Sequence, residues 1–551
     1  MTVALILASQ ADPGLRGQLA ALGVRRVDAT DRGGPALRTV AAAAQVAGER
    51  VLICGGEGPV SEEILARLLR AGGTTAFTRV GAGALVVDAP DLEALAGAAG
   101  ALAPAPGAPE AIGALVGELT GRGIRVRVLD AGPDGVGAVA RLIVDPVVSA
   151  VAGWLVKRGL TPAALYGIAL GLGLLSAVWF ADPSTGAKVI AAVVLFGSLA
   201  AGRAGGVLAA AGREDRLRPA VGWLGTASGL LSEFAVYAAL AASAGAGRPA
   251  GLGGVYGADL RNTVAVSVGG SGSTGVWRLA VAAMVLLGIR QIAGICREVA
   301  PAPSPNPPAG ILGQVVALPA GERYALIAVT AILAGPRVTF LALLAWGVLA
   351  AGYQLARPVP GSAETTGAGG DLAACRGDGV VSRWVGGSVQ GNLPPLLPVL
   401  VGLLVTGVLA ALGLANLPGS LVLIPVVVML LPALGSRHPH DGRLDWLVPP
   451  LLQIIECVFL AALGFSRHVA AVLVFALVAA VLMRHADLAY RARLGRGIPA
   501  DRFGLGWDGR MLLAGLLAAV GLAPFAYAVL AGYLWLLFCW DYLSGWLSAA
   551  G

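Results

Sequence analysis

The pattern of apolar and polar positions divides the chain into a mixed amino-terminal part and a long apolar part. Over residues 1–140, short apolar runs alternate with segments of helical periodicity. Alternating strands and helices are typical of a parallel α/β sheet. The sequence therefore predicts a soluble α/β domain over residues 1–145, with a surface loop at the Ala- and Pro-rich stretch 101–109. The predicted strands are 3–8, 26–28, 50–54, 85–87 and 125–129, and the predicted helices include 62–69 and 91–99.

Beyond residue 146 apolar residues dominate, and a stretch of about 20 such residues is long enough to span a membrane. Residues 147–158 have helical spacing with Trp154 near the end, which predicts a helix on the inner membrane surface before the first span. The pattern predicts an all-α polytopic region of about 10 to 12 transmembrane helices. The spans are 162–180, 188–211, 220–243, 276–296, 323–335 and 337–356, then 393–414, 420–434, 446–464 and 468–483, and finally 511–540, which has room for one or two.

Polar stretches separate these spans into two blocks. A Gly-rich polar segment over residues 359–392 reads as a linker between a six-helix membrane domain, 146–358, and a carboxy-terminal multi-span domain, 393–551. Within the first block, Gly335-Pro336-Arg337 predicts a tight hairpin turn between the last two spans. In the second block, the basic stretch 484–510 is predicted to be a loop.

Composition agrees with a membrane protein. Hydrophobic residues make up 57% of the chain and charged residues 13%, whereas soluble domains are about half apolar and about a quarter charged. The net charge of +7 comes from Arg in loops such as 212–218 and 297–323. Positive loops favour the cytoplasmic side. We therefore expect an inner (plasma) membrane protein with a cytoplasmic amino-terminal domain, whose partners are membrane lipids and not nucleic acid. A homodimer stays open.

The five cysteines are scattered along the chain and are odd in number. They show neither the paired spacing of a disulfide framework nor the Cys/His spacing of a zinc site. We expect no disulfides and no metal cluster from them.

One segment of the first block has a recognisable order of parts. Thr161-Pro162 opens a Gly- and Leu-rich helix, and a second span, a basic loop, Gly222-Trp223-Leu224 and the stretch from Glu233 to Tyr237 follow. With the later segments 321–328 and 335–338, this order resembles the CDP-alcohol phosphotransferases of phospholipid biosynthesis. The resemblance implies that the first six spans adopt that family's fold. It also implies that a competent member displaces CMP from a CDP-linked lipid or alcohol, using Mg or Mn.

The chain as a whole resembles an actinobacterial-type fusion, in which a nucleotidyltransferase-like domain precedes the phosphotransferase unit and a hydrophobic domain follows it. Segments 445–450 and 508–513 resemble landmarks of that last domain. In the first domain, residues 7–14 lack a Gly-rich phosphate loop, and residues 52–57 lack the Asp expected after the strand. The nucleotidyltransferase-like site is therefore predicted to be eroded.

The phosphotransferase signature is Asp-x2-Asp-Gly-x2-Ala-Arg-x8-Gly-x3-Asp-x3-Asp, whose four carboxylates hold two metals. With Glu233 as the anchor, the third and fourth acid positions fall on Gly225 and Gly229. Counting back from Gly212-Arg213 places the first two near Ala201 and Ala204, with Gly205 at the motif glycine. The resemblance thus implies the family's frame without its metal ligands. Our leading hypothesis is a non-catalytic lipid-binding or scaffold protein, with no cofactor. The alternative is an active transferase that keeps Mg or Mn through replacement ligands.

Ionisable groups inside spans are costly and often functional. Glu233 is expected either to pair with an Arg such as Arg203 or to line a polar cleft. Arg290 is expected to snorkel to the inner surface, or else to hold a phosphate. Arg213, Arg216 and Arg218 either steer an anionic headgroup or serve topology alone.

Two further polar groups lie in the second block. Asp441 and Asp445 stand four residues apart with two His nearby, so they form either a metal site or a polar loop with a helix cap at Asp445. Glu456, beside Gln453 and Cys457, predicts a buried contact between helices or a substrate path. Together with Glu233 and Arg290, it keeps a transporter or flippase as a further alternative, although the blocks show no inverted repeat.

Overall fold

The protein was analysed as a computed structural model. The structure describes most of the chain, and its longest gaps are residues 56–74, 245–271 and 412–430. The described parts are residues 2–7, 26–29, 33–55, 75–78, 84–99, 126–128, 137–158, 160–210, 218–244, 272–299, 315–356, 372–388, 394–411, 431–436, 444–493 and 504–550, with a few single positions between them.

The amino-terminal domain is a six-stranded sheet with strand order β2-β1-β3-β5-β4-β6. The sheet is mixed, because β5 runs antiparallel to both β3 and β4 while the other pairs are parallel. The expectation of a purely parallel sheet is therefore wrong. The strands are β1 (Thr2–Leu7), β2 (Arg26–Ala29), β3 (Arg50–Gly55), β4 (Thr75–Thr78), β5 (Ala84–Val87) and β6 (Val126–Val128).

The difference arises at β4, which the sequence did not predict. Only five residues separate β4 from β5, too few for the crossover that a parallel pair needs, so the two strands pair antiparallel. Helices α1 (Gly33–Ala47) and α2 (Leu92–Ala98) pack together over the sheet, with Leu37, Val51 and Leu85 in the shared core. Helix α1 was not predicted, and the predicted helix 62–69 lies outside the described residues.

Helix α3 (Asp145–Lys157) follows a π-helical turn, Ala140–Val144, and connects the domain to the first span. Val148 and Leu155 face inward and pack with Leu165, Ala204 and Leu208 of the next helices. Val147, Val151 and Trp154 are exposed on the opposite side. The predicted helix is present, and apolar groups lie on both of its faces.

All six spans predicted for the first block form helices. Thr161 is the N-cap of α4, and its hydroxyl accepts a hydrogen bond from the amide of Ala164. Gly335, at a φ of +88°, makes the predicted tight turn between α8 and α9. The helices are α4 (Pro162–Ala181), α5 (Thr185–Ala210), α6 (Arg218–Ser243), α7 (Gly272–Val299), α8 (Ala320–Leu333) and α9 (Pro336–Ala356).

The second block begins earlier than its first predicted span. Residues 372–388, placed by the sequence in the linker, form a 3₁₀ turn (Leu372–Arg376) and helix α10 (Val380–Gly387). Residues 420–430 of one predicted span lie outside the described part, and Leu431–Gly435 is a 3₁₀ turn. The remaining elements are α11 (Leu396–Ala411), a 3₁₀ turn (Asp445–Leu447), α12 (Val448–Ser466), α13 (Ala471–Arg493), α14 (Gly506–Ala519) and α15 (Ala523–Ala550).

Helix α13 continues for ten residues into the predicted basic loop 484–510. Its charges are paired there, since Arg491 bonds to Asp487 at 2.8 Å and Arg484 bonds to Asp541 of α15. Pairs at helical spacing and a partner on a neighbouring helix allow the helix to continue where charge alone suggested a loop. Gly521, at a φ of +82°, separates α14 from α15, so the stretch 511–540 contains two helices.

Eight of the helices in the described residues are long and apolar enough to cross a membrane, and α8, α11 and α14 are shorter. The chain is thus a polytopic membrane protein that carries an α/β domain. The two blocks share one core, in which α7 packs against α12 and α13 of the second block. Leu482, for example, contacts the bare backbone of Gly288.

Candidate functional site

One aligned acid position, Gly225, and the motif glycine, Gly205, lie on either side of a tyrosine ring. Tyr166 of α4 is buried between Gly205 of α5 and Gly225 of α6. A Cβ atom would lie 3.0 Å from the ring at Gly205 and 2.8 Å from it at Gly225, so the ring packs directly on both helix backbones. The space that an Asp at position 225 would enter is filled by an aromatic side chain.

The other aligned positions do not converge on this point. Ala204 packs in an apolar cluster with Val144 and Val148, on the side of α3. Gly229 is exposed and has open space around it. The described residues contain no group of three or more His, Cys, Asp or Glu side chains that would hold a metal. Ala204 therefore serves helix packing, whereas Gly229 lies on an exposed part of α6.

Glu233 of α6 is buried and has two partners. Its Oε2 atom lies 3.0 Å from Nη2 of Arg323, and its Oε1 accepts a hydrogen bond from the hydroxyl of Tyr237. Arg203, the partner expected from the sequence, instead bonds to Asp145 of α3 at 2.7 Å. Glu233 thus pairs with an Arg, which was one of the two alternatives expected, but the partner is Arg323. Arg203 lies beside α3, whereas Glu233 faces the start of α8.

Arg290 joins the same polar cluster. Its two terminal nitrogens donate to the carbonyl oxygens of Ala317, at 2.5 Å, and Leu318, at 3.1 Å. Arg323 donates to the Leu318 carbonyl as well, at 3.0 Å. Arg290 is thus buried and fixed to the backbone, and the snorkelling expected for it is not observed. The structure brings Glu233 and Arg290 together through Arg323 and the Leu318 carbonyl.

The sequence did not identify Arg323 or Tyr166 as part of these sites. A signal for Arg323 existed, because an acid inside a span needs a cation at similar depth, and Arg323 begins the fifth predicted span. Nothing in the sequence singled out Tyr166, since its two glycine neighbours lie on different helices.

The loop candidates are only partly described. Arg213, Arg216 and Asp441 lie outside the described residues, and Arg218 begins α6 with its backbone alone described. Asp445 is buried at the start of a 3₁₀ turn, and the cap residue of α12 is Leu447. The predicted helix cap at Asp445 was therefore wrong.

Glu456 of α12 lies at the centre of a second buried polar network. Arg510 of α14 donates to both carboxylate oxygens, at 2.5 and 2.9 Å, and Nε2 of His485 on α13 lies 2.7 Å away. All three side chains are at most 1% exposed. This is the inter-helix contact that the sequence suggested, with three helices joined through one carboxylate.

A groove lies where the two membrane blocks meet. It has a volume of about 660 Å³ and runs between α7 and α12, with α9 and α11 at its sides. Its walls are almost wholly apolar, with Val281, Val285 and Ile289 on one side and Leu451 and Ile454 on the other. Among the described residues that line it, the charged ones are Arg278 and Arg290, and none is acidic.

At each end of the groove an arginine stacks on an aromatic ring. At one end, the guanidinium of Arg278 lies 5.5 Å from the ring centre of Phe465. At the other, Arg297 lies 5.3 Å from the ring of Trp446 and donates to the carbonyl oxygen of Gln354 at 2.8 Å. Twelve helical residues separate Arg278 from Arg290, which corresponds to about 18 Å.

Comparison with known proteins finds a family match for the carboxy-terminal part of the chain. Residues 366–551 match a family of unknown function (DUF5941). No curated protein matches the chain. The matched region begins just before the 3₁₀ turn Leu372–Arg376 and includes α11 and α12, so it supplies one wall of the groove.

Proposed function

We propose that this membrane protein binds a membrane lipid between its two helical blocks. The observation that carries the proposal is the apolar groove between α7 and α12. Its volume lies within the range of about 300–1,000 Å³ common for ligand sites. Both walls belong to helices of membrane-spanning length, so the hydrocarbon chains of the bilayer are the solvent that surrounds them.

An apolar groove in this position favours the binding of an acyl chain. Wall atoms without neighbours lose dispersion contacts, and an acyl chain restores those contacts without burying any polar group. The groove also lies on the junction of the blocks, where a bound chain would contact both. A lipid bound in this position would also hold the two blocks together. The proposal is therefore compatible with both the lipid-binding and the scaffold hypotheses.

We further propose that the first block has a frame like that of the CDP-alcohol phosphotransferases and that it is not catalytic at the family's site. The order of helices and the hairpin at Gly335 support the frame. The Tyr166 ring between Gly205 and Gly225 supports the loss of catalysis, because two divalent cations need several oxygen ligands. On this proposal the amino-terminal domain is cytoplasmic, as the basic loops favour.

The lipid-binding proposal is tested on the full-length protein, purified in mild detergent and examined by native mass spectrometry. We expect at least one phospholipid to remain bound. Ala282 is exposed on α7, lines the groove and lies one turn from Arg278, so Ala282→Trp should displace the lipid. Val193→Trp, on the exposed face of α5 away from the groove, is the matched control and should keep it. Equal lipid retention in both variants would refute the groove as the site.

The catalytic half of the proposal has its own assay. The protein is incubated with CDP-diacylglycerol, several alcohol acceptors, and Mg or Mn, and CMP is measured. We expect no release above the background of empty detergent micelles. Metal-dependent turnover that a chelator abolishes would overturn this half and would indicate replacement ligands.

A further inference from the structure

The charges along the groove indicate which lipid it accepts. Arg278 and Arg290 are the charged residues among its described lining, and no carboxylate is present there to balance them. Cations facing an apolar groove attract an amphiphile with an anionic headgroup and repel one with a net positive charge. The lining thus favours an anionic lipid.

The two arginines differ in what they can still bind. Both terminal nitrogens of Arg290 already donate to backbone carbonyls, and that side chain is buried. Arg278 is exposed, stacks on Phe465 and forms no ion pair with any described carboxylate. A guanidinium offers paired donors that match the oxygens of a phosphate. Arg278 is therefore the side chain placed to receive a headgroup.

The length of the groove also fits a lipid whose headgroup lies at Arg278. From Arg278 to Arg290 the groove extends about 18 Å along α7, while the hydrocarbon layer of one leaflet is about 15 Å thick, half of a ~30 Å core. An acyl chain that starts at the level of Arg278 would therefore extend along most of the groove towards Arg290. A bilayer phospholipid is the amphiphile that surrounds this surface in the membrane.

We infer that the groove binds an anionic phospholipid, with its phosphate on Arg278 and one acyl chain lying between α7 and α12 towards Arg290. This inference rests on the proposed lipid-binding function and adds the lipid class and its orientation. The carboxy-terminal family region then contributes Phe465 beneath the headgroup arginine and the apolar wall that contacts the chain.

The test compares two lipids on three proteins. Delipidated full-length protein is titrated with phosphatidylglycerol or with phosphatidylcholine, and the bound lipid is counted by native mass spectrometry. The wild type should prefer phosphatidylglycerol. Arg278→Gln should weaken phosphatidylglycerol binding about tenfold, the loss expected when one charge-assisted contact is removed, and should change phosphatidylcholine binding less. Arg158→Gln removes an exposed cation distant from the groove and is the matched control.

The outcomes separate the inference from the function on which it rests. If Ala282→Trp abolishes binding of both lipids but Arg278→Gln weakens them equally, the groove binds lipid and the assigned headgroup position is wrong. A fatty acid or a detergent molecule retained in place of phospholipid would also overturn the lipid class. If Ala282→Trp has no effect, the proposed function fails. Each variant is first checked for an unchanged elution profile and thermal unfolding.

Discussion

Glu233 and Arg323 form an ion pair with a separation of 3.0 Å, although they lie 90 residues apart in the chain. Both side chains are about 6% exposed, so the pair lies in a region of low dielectric constant. Tyr237 and the Leu318 carbonyl provide further hydrogen bonds to the two groups. The pair fixes the start of α8 against the middle of α6, and through Leu318 it connects to Arg290 at the groove wall.

Removing one member of this pair should be costly. We expect Glu233→Gln to lower the free energy of unfolding by about 3–5 kcal/mol, because Arg323 loses its carboxylate partner while it stays buried. The double variant Glu233→Gln with Arg323→Met should lose less than the sum of the two single variants. Denaturant titration of the purified protein in detergent measures the difference.

The Asp145–Arg203 pair serves as the comparison. Its side chains are about one third exposed, so Asp145→Asn should change the same free energy by at most about 1 kcal/mol. A loss as large as that of Glu233→Gln would mean that burial does not determine the strength of these pairs.

The contrast between these two pairs shows what the sequence reveals. Each of the six spans of the first block follows from a local apolar run, so all six were predicted within a few residues. The partner of Glu233 was not predictable in this way, because several arginines are candidates and only helix packing selects Arg323. The length of α13 was missed for the same reason, since its charged end is stabilised by Asp541 on another helix.

For the candidate sites, too, the sequence located local positions but not the contacts made between helices. Alignment of residues 201–229 located the missing acids, but the ring that fills the space at Gly225 belongs to Tyr166 on α4, whose contacts with Gly205 and Gly225 appear only after three helices pack. The groove was likewise not predictable, because its walls come from α7 and from α12, more than a hundred residues later.

The packing of Tyr166 can be tested by adding one methyl group. We expect Gly225→Ala to destabilise the protein by about 1–3 kcal/mol, because the new Cβ would lie 2.8 Å from a ring that Gly205 confines on its other side. Tyr166→Ala should relieve most of that penalty in the double variant. Gly229→Ala, where the space is open, should be neutral or stabilising by up to about 1 kcal/mol. If Gly225→Ala matches Gly229→Ala, the ring does not fill the site.

Asp508 of α14 caps helix α10 across the second block. Its two carboxylate oxygens accept the amide hydrogens of Gly379, at 2.7 Å, and Ser382, at 2.8 Å. We expect Asp508→Ala to cost about 1–2 kcal/mol and to accelerate hydrogen exchange at residues 379–382. The exposed Asp182, which bonds only within its own turn, is the control, and Asp182→Ala should leave exchange at those amides unchanged. Unchanged exchange in Asp508→Ala would exclude the cap.

Burial raises the pKa of the Cys54 thiol in the amino-terminal domain from 9.0 to about 12. At pH 8 the folded domain should therefore resist alkylation at the buried Cys54, while the same thiol should react once the domain is unfolded in denaturant. As pH rises above 9, the unfolded thiol loses its proton and the folded one keeps it, so the stability of the domain should fall, by up to about 1.4 kcal/mol per pH unit. Peptide mapping after maleimide treatment measures the labelling, and equal labelling of Cys54 in folded and denatured protein at pH 8 would contradict this prediction.

The outer face of α3 should lie in the membrane surface. Val147, Val151 and Trp154 are exposed at helical spacing, while the opposite face packs against α4 and α5, so lipid is the environment that covers them. An environment-sensitive fluorophore on Val151→Cys, in a Cys539→Ser background in nanodiscs, should show blue-shifted emission and quenching by lipids labelled near the headgroup. The same fluorophore on Thr39→Cys, exposed on α1, should report water. If both positions report water, the outer face of α3 does not contact the bilayer. The amino-terminal domain is then attached to the membrane region through the packing of α3 on α5 and through the amide of Val139, which donates to Glu322 of α8.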